Sequence, residues 1–205
     1  VYMCHVANGN MGHVVVMPDE LRKIRTKEAE NAGKVVGALE VINLDVSDLK
    51  VNSYNEDVVM ELIEVIRHAK PDIIITHAPQ DYMRDHVEVG KMVFDASFSS
   101  TIPHTVTKSP NCPGNVPIYY MDTLAGVDFL PEEYVDVTET IEIKLDALNC
   151  HESQIKWMLK HDKIDFLDFV RTVSKFRGMQ CGVKYAEGFR HCVTWGRLTT
   201  KRLLP

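Results

Sequence analysis

The sequence lacks the long apolar runs, basic blocks and leader segments that assign many proteins to a class. No stretch of the 205 residues approaches the ~18 consecutive apolar residues that a membrane helix needs. No lysine or arginine block is present and the formal net charge is −6, which argues against a surface for nucleic acid or anionic membranes. The N-terminus, VYMCHVANGN, has neither the basic flank nor the apolar core of a signal peptide.

Several short motifs are absent as well. The five cysteines are an odd number and include no C-x-x-C pair, so we expect free, small, largely buried thiols in a reducing cytoplasm and no disulfide framework. Neither G-x-G-x-x-G nor G-x-x-x-x-G-K-[ST] occurs, which disfavours a dinucleotide site and a P-loop. The absence of G-x-S-x-G disfavours a serine hydrolase.

Strand-like and helix-like segments alternate along the chain. β-rich runs occur at VYMCHVA, EVINLDV, DIIIT and PIYYMDT. Pro18 suits a helix start, Asn55 can cap a second helix, and a third is expected from about Arg84 or Asp85 through Phe98. This alternation predicts an α/β fold with a mostly parallel sheet, in a single domain over residues 1–205.

The second half of the chain is harder to interpret. Residues 99–116 are rich in Pro, Ser, Thr and Asn and are expected to form a long loop, of a length that is usually functional or mobile. VDVTETIEIKLDALNCHESQIKWMLKH begins strand-like and becomes helical. IDFLDFVRTVSKFRG predicts a last amphipathic helix closed by Gly178, and a polar tail containing GVKYAEGFR follows it.

Ionisable side chains crowd the end of the third strand, in PDIIITHAPQDYMRDH at residues 71–86. In an open parallel sheet, ligands bind beyond the carboxyl ends of the strands, so this stretch is a candidate site. His86 is a possible metal ligand beside Asp85, and lies near a helix start. The alternative is a helix cap with a surface histidine. Since no H-x-x-x-H is present, a metal site needs ligands from elsewhere.

Several segments together resemble the PIG-L or LmbE-like zinc de-N-acetylases. The resemblance spans almost the whole chain and is carried by NGNMGH, IRTKEAENAGKVVGA, LDVSDL, RHAKPDIIITHAPQDYMRDH, HESQ and RGMQCGVKYAEGFR. It implies a three-layer, Rossmann-like α/β sandwich that hydrolyses acetamido groups, usually on an amino sugar, with Zn²⁺ as cofactor. A homo-oligomer is possible, and the substrate is the only other partner implied.

The resemblance also implies roles for particular residues. His86 matches the last histidine of the family's H-x-D-H motif, which binds zinc, and Asp85 matches the aspartate that orients the site or relays charge. Arg25 and Glu28 match an R-x-x-E pair on the substrate side, although an i,i+3 surface ion pair is an equal alternative. His77 and Tyr82 are expected near the substrate, and Glu187 is either a pocket residue or part of a salt bridge.

The chain departs from the family pattern in two places. The A-H-P-D-D motif, which supplies two zinc ligands and the general base, is absent, and we expect it upstream of Val1, together with a first strand. Met83 stands where H-x-D-H begins with a histidine, and methionine cannot donate a hydrogen bond. Residues 1–205 alone are therefore expected to hold little zinc and to be inactive. The alternative is a non-catalytic carbohydrate-binding or scaffold protein; a nucleotide-sugar transferase has no motif support.

Overall fold

The computed structural model describes all residues from Val1 to Pro205. Its strands are β1 (Tyr2–Ala7), β2 (Glu40–Val46), β3 (Ile74–His77), β4 (Ile118–Met121), β5 (Glu133–Asp136) and β6 (Ala186–His191). Its helices are α1 (Pro18–Val35), α2 (Glu56–Ala69), α3 (Arg84–Ser99), α4 (Ile141–Asn149), α5 (Glu152–His161) and α6 (Phe166–Cys181). None of these helices is both long and apolar enough to cross a membrane.

The strands form two sheets. In the first, β1 and β2 run parallel. In the second, the order is β3-β4-β6-β5, with β3 parallel to β4 and β4 antiparallel to β6. The contacts divide the chain into two compact units, and each unit is made of two separate chain segments. Unit 1 comprises residues 1–50 and 136–187, and unit 2 comprises residues 51–135 and 188–205.

Unit 1 is built on the close packing of α1 against the parallel strand pair. Pro18 is the first residue of α1, where its missing N–H is no loss. Leu21 is completely buried, and Ala32 is nearly so. Gly33 lies so close to the side chain of Val41 on β2 that no Cβ fits there. The predicted helix therefore forms with its apolar face towards the strands.

Unit 2 packs α2 against α3, and α3 against β3 of the second sheet. Asn55 caps α2 through its side chain, which accepts a hydrogen bond from the Val58 N–H, as the sequence predicts. The helix ends at Lys70, which adopts a left-handed conformation just before Pro71. Tyr119 of β4 is 1% exposed and anchors the apolar cluster of this sheet.

The loop over residues 100–117 is held against α2. Arg67 donates hydrogen bonds to three of its carbonyls, and Glu64 accepts from the N–H and hydroxyl of Ser109. A cavity of about 400 Å³ is lined by residues 110–117 together with Pro71 and Asp72, which precede β3. The loop thus borders the amino end of the parallel pair β3–β4.

Acidification is expected to weaken the hold of α2 on this loop. Burial opposes ionisation of Glu64, but hydrogen bonds from Ser109, Thr107 and the Lys108 N–H outweigh it and lower its pKa below the ordinary 4.5. Because the folded-state pKa is the lower one, this stabilisation is present above about pH 4.5 and is lost as the pH falls below it. Urea unfolding at pH 6 and pH 3.5 measures the loss. Glu64→Gln should show a smaller difference between the two pH values, and an unchanged difference would contradict the assignment.

Two predicted boundaries in the second half are wrong. Helix α6 continues past Gly178 to Cys181 and ends at Gly182, which adopts the left-handed conformation. Gly178 is needed inside the helix, because a Cβ there would lie 2.7 Å from the carbonyl oxygen of Val183. The segment interpreted as a polar tail contains β6. Its backbone pairs with β4, and Ala186 and Phe189 are buried. The segment is therefore a strand, although its polar residues made it resemble a tail in the sequence.

Candidate functional site

A group of three metal-binding side chains lies at the carboxyl end of β3, where the sequence predicts a site. His77 is the last residue of β3, Asp81 lies in the following loop, and His86 is in the first turn of α3. One ligand atom from each of the three lies within 4.8 Å of those from the others. The structure therefore brings His77, Asp81 and His86 together at the end of the strand.

Asp81 anchors this group. Its side chain is 1% exposed, and its Oδ2 lies 2.9 Å from Nδ1 of His86. Its Oδ1 accepts a hydrogen bond of 2.8 Å from the backbone N–H of Met83, the residue that caps α3. The carboxylate is thus fixed at both oxygens, and the His86 ring is fixed at Nδ1.

The two imidazoles are stacked. Their centroids lie 3.9 Å apart, with an angle of 13° between the rings. Burial and the neighbouring His86 lower the pKa of His77 from 6.5 to about 4, while Asp81 acts in the opposite direction. His77 is therefore neutral at neutral pH, and the dominant cause is the removal of its ring from water.

Of these residues, His86 is the one whose side chain can bind a zinc ion in this arrangement. Because Nδ1 of His86 faces a carboxylate, Nε2 is the nitrogen available to a metal, and the side chain is 28% exposed. The in-plane lone pairs of two stacked rings lie in separate, nearly parallel planes. His77 and His86 therefore do not converge on one ion in this arrangement, and His77 forms a wall beside the ligand position.

The other predicted residues of this region surround the group. Tyr82 is 54% exposed, and its hydroxyl donates to the carbonyl of Leu124 at 2.8 Å, which links two loops at the carboxyl ends of β3 and β4. Asp85 precedes His86 in the first turn of α3. Met83 is 40% exposed at the helix cap. Arg190 of β6 lies 3.3 Å from Gln80 in the same loop and stacks over Phe129.

Arg25 and Glu28, both in unit 1, contact the HESQ segment that begins α5. Arg25 donates to the Gly12 carbonyl and to the side chain of Gln154. Glu28 is 8% exposed and accepts from the N–H and the hydroxyl of Ser153 at 2.6 and 2.7 Å. The two residues are therefore not a surface ion pair. Both carboxylate oxygens of Glu28 are occupied, so a substrate would reach them only by displacing Ser153.

The NGNMG turn packs on Arg25. A Cβ at Gly9 would lie 2.5 Å from Cδ of Arg25, and one at Gly12 would lie 2.7 Å from its Nη1. Gly9 also has a φ of 74°, which favours glycine. Asp48 accepts from the N–H groups of Gly9 and Met11 on the other side of the turn. These glycines therefore serve both a turn and a close approach to a guanidinium.

Glu187 lies in unit 1, at the start of β6, and pairs with Lys144 of α4 at 2.5 Å. Its side chain is 35% exposed, so the pair is in contact with water.

Sequence reasoning did not include Asp81 among the site residues, although Asp81 lies only five residues before His86. It also left Ser153 and Gln154 without a role, although the HESQ motif was a signal.

Comparisons with known proteins agree with the predicted fold class and chemistry. A curated diacetylchitobiose deacetylase from Thermococcus kodakarensis is 27% identical over 197 residues, covering 90% of this chain and 69% of that protein. An N,N′-diacetylchitobiose deacetylase structure from Pyrococcus horikoshii superposes with a TM-score of 0.78 at 25% identity, covering 93% of this chain and 72% of that one. The α/β, Rossmann-like class is confirmed by these likenesses.

The fold also occurs with a different reaction. GalB, a 4-carboxy-2-hydroxymuconate hydratase from Pseudomonas putida KT2440, superposes with a TM-score of 0.81 at 19% identity, covering 98% of this chain and 86% of that one. Likeness of fold alone therefore does not determine the activity.

The family assignment has its own evidence in the first half of the chain. The family model described as PIG-L, GlcNAc-PI de-N-acetylase, matches residues 1–97. This range contains NGNMGH, the R-x-x-E pair and the whole His77–His86 stretch, which are among the motifs that carry the resemblance. Residues 1–97 therefore match the PIG-L family, and the curated relative and the solved structure described first are both diacetylchitobiose deacetylases.

Proposed function

We propose that the protein is a zinc-dependent hydrolase that removes an N-acetyl group from an amino sugar or glycoconjugate. The observation that carries this proposal is the 27% identity to a diacetylchitobiose deacetylase across 90% of the chain. The absence of any disulfide among the five cysteines supports a cytoplasmic location, and a homo-oligomer remains part of the proposal.

In this proposal His86 holds the zinc through Nε2, and Asp85 orients the site or relays charge. When bound, zinc would polarise the acetamide carbonyl and make a water molecule more acidic. His77, neutral and stacked on His86, forms a wall that limits the position of the acetamide. Tyr82, Arg25, Glu28 and Glu187 are proposed on the substrate side.

The 205-residue chain alone is proposed to hold zinc weakly. A catalytic zinc normally has three protein ligands, and the stacked rings of His77 and His86 do not converge on one ion. Metal analysis after dialysis should find far less than one zinc per chain, with no acetate released from diacetylchitobiose. Where the gene encodes residues before Val1, the longer chain should hold one zinc and release acetate. Stoichiometric zinc on residues 1–205 would contradict the first half of this prediction.

Met83 is the position at which added activity is expected. Replacing it with histidine would place a hydrogen-bond donor at the cap of α3, beside the proposed ligand, and at 40% exposure the site accepts the ring. One such donor is worth roughly 100-fold in rate. In an active form of the protein, Met83→His should therefore raise kcat for acetate release, whereas Met83→Leu should not. Equal rates for the two variants would mean that another group already serves this role.

The alternative is a carbohydrate-binding or scaffold protein that has lost the chemistry. Met83 favours it, because the resemblance expects a hydrogen-bond donor there. Calorimetric titration with chitobiose and diacetylchitobiose separates the two possibilities. Binding of both sugars without acetate release by any chain that includes the upstream residues would support the alternative, and acetate release dependent on His86 would exclude it.

A further inference from the structure

We infer that Asp81 is the residue that positions His86 for a metal, through its contact with Nδ1 of the ring. The inference rests on the proposed zinc site and adds to it a residue that sequence reasoning had not assigned. Its basis is geometric. A carboxylate that is 1% exposed lies 2.9 Å from Nδ1 of His86, and the same carboxylate holds the cap of the helix that carries His86.

The chemistry of the contact determines where the imidazole proton lies. An ionised carboxylate only accepts hydrogen bonds. Nδ1 of His86 must therefore carry the proton that it shares with Asp81, and Nε2 keeps its lone pair. The stacked ring of His77 restricts rotation of His86 about its side-chain bonds. Asp81 thus sets the tautomer and His77 sets the ring plane, so that the lone pair of Nε2 points in one direction before any ion binds.

The second oxygen of Asp81 makes the arrangement testable. Oδ1 accepts from the N–H of Met83, a backbone donor that has no alternative protonation state. An asparagine at position 81 has one acceptor and one donor in place of two acceptors. Its oxygen is expected to stay with the Met83 N–H, because two donors facing each other would be unfavourable. Its NH₂ group then faces Nδ1 of His86, which must give up its proton and become the acceptor.

The expected consequence of Asp81→Asn is a change of tautomer with little change of shape. The proton moves to Nε2, and the lone pair that would bind a metal is lost. Long-range ¹H–¹⁵N correlation spectra of the imidazoles at neutral pH report this directly and need no metal. Wild-type His86 should be the Nδ1–H tautomer, and Asp81→Asn should convert it to Nε2–H. Affinity for Co²⁺, measured by calorimetry, should fall about 10–100-fold, the range found when partners of ligating histidines are removed.

Asp85→Asn is the matched comparison, since it removes the neighbouring carboxylate by the same chemical change. It should leave the tautomer of His86 unchanged. A wild-type Nε2–H tautomer would overturn the inference without any variant. So would a tautomer switch in Asp85→Asn with none in Asp81→Asn.

The result is separable from the proposed function. If the tautomer switches as expected but no form of the protein releases acetate, Asp81 positions His86 and the proposed function fails. If acetate release depends on His86 but the tautomer of Asp81→Asn is unchanged, the function stands and the inference fails. Should Asp81→Asn not fold, Asp81→Glu, which keeps two acceptors, should retain the Nδ1–H tautomer, and its loss there would also overturn the inference.

Discussion

Replacing Arg67 with alanine should lower the free energy of unfolding by about 3–5 kcal/mol. The substitution removes a buried cation and leaves the acceptors of its hydrogen bonds without a donor. The side chain is 2% exposed. Its three nitrogens donate to the carbonyls of Ser100, Ile102 and Thr105 and to the Thr107 hydroxyl, at 2.7–2.9 Å. Alanine supplies no donor, so three carbonyls lose their partner at once.

The measurement is urea unfolding, combined with limited proteolysis of the loop over residues 100–117. The variant should be cut in this loop under conditions that leave the wild type intact. Lys23→Ala changes an exposed cation on α1 and should alter the stability by less than about 0.5 kcal/mol. If Arg67→Ala loses less than about 1 kcal/mol, the loop is held mainly by Glu64 and its own turns.

Gly90→Ala should disturb the candidate site more than any change on its surface. A Cβ at Gly90 would lie 2.6 Å from the carbonyl oxygen of His77, so α3 can approach the end of β3 only because this position has no side chain. The added methyl must push α3, and with it His86, away from His77. Overpacking of this kind destabilises by about 1–3 kcal/mol and shifts backbone.

The expected result is therefore both a lower melting temperature and a loss of the ring stacking between His77 and His86. Imidazole chemical shifts report the stacking, since each ring lies in the ring current of the other at 3.9 Å. Gly114→Ala is the control, because no atom lies within 4 Å of a Cβ built there. A Gly90→Ala protein with unchanged imidazole shifts would show that α3 and β3 adjust without moving the site.

The outline of the fold could be predicted from local patterns. Pro18 and Asn55 mark the starts of α1 and α2 because the physics of a helix start is local: a ring without an N–H, or a side chain that accepts from an early N–H. β6 could not be predicted in this way. Its Glu187 and Arg190 are polar, and only pairing with β4, about 70 residues earlier in the sequence, makes the segment a strand.

The position of the candidate site could be predicted from the sequence, but the hydrogen bonds within it could not. The rule that ligands bind beyond the carboxyl ends of parallel strands places His77 and His86 together. Adjacency in sequence suggested that Asp85 fixes His86 or orients another ligand, but it gave no sign that the turn from β3 into α3 brings Asp81 to Nδ1 of His86. A contact across a strand–loop–helix corner depends on backbone geometry that no periodicity encodes. The same holds for Glu28 and Ser153, which are 125 residues apart.

The division of unit 1 into two chain segments has a consequence for synthesis. Residues 1–50 leave the ribosome first, but the helices that complete their unit lie within residues 136–187. At a typical 5–20 residues per second, β1, α1 and β2 wait for several seconds while residues 51–135 are made. Unit 2 also stays open until residues 188–205 emerge. A protein fragment ending at residue 97 would contain the whole family match but neither compact unit in full.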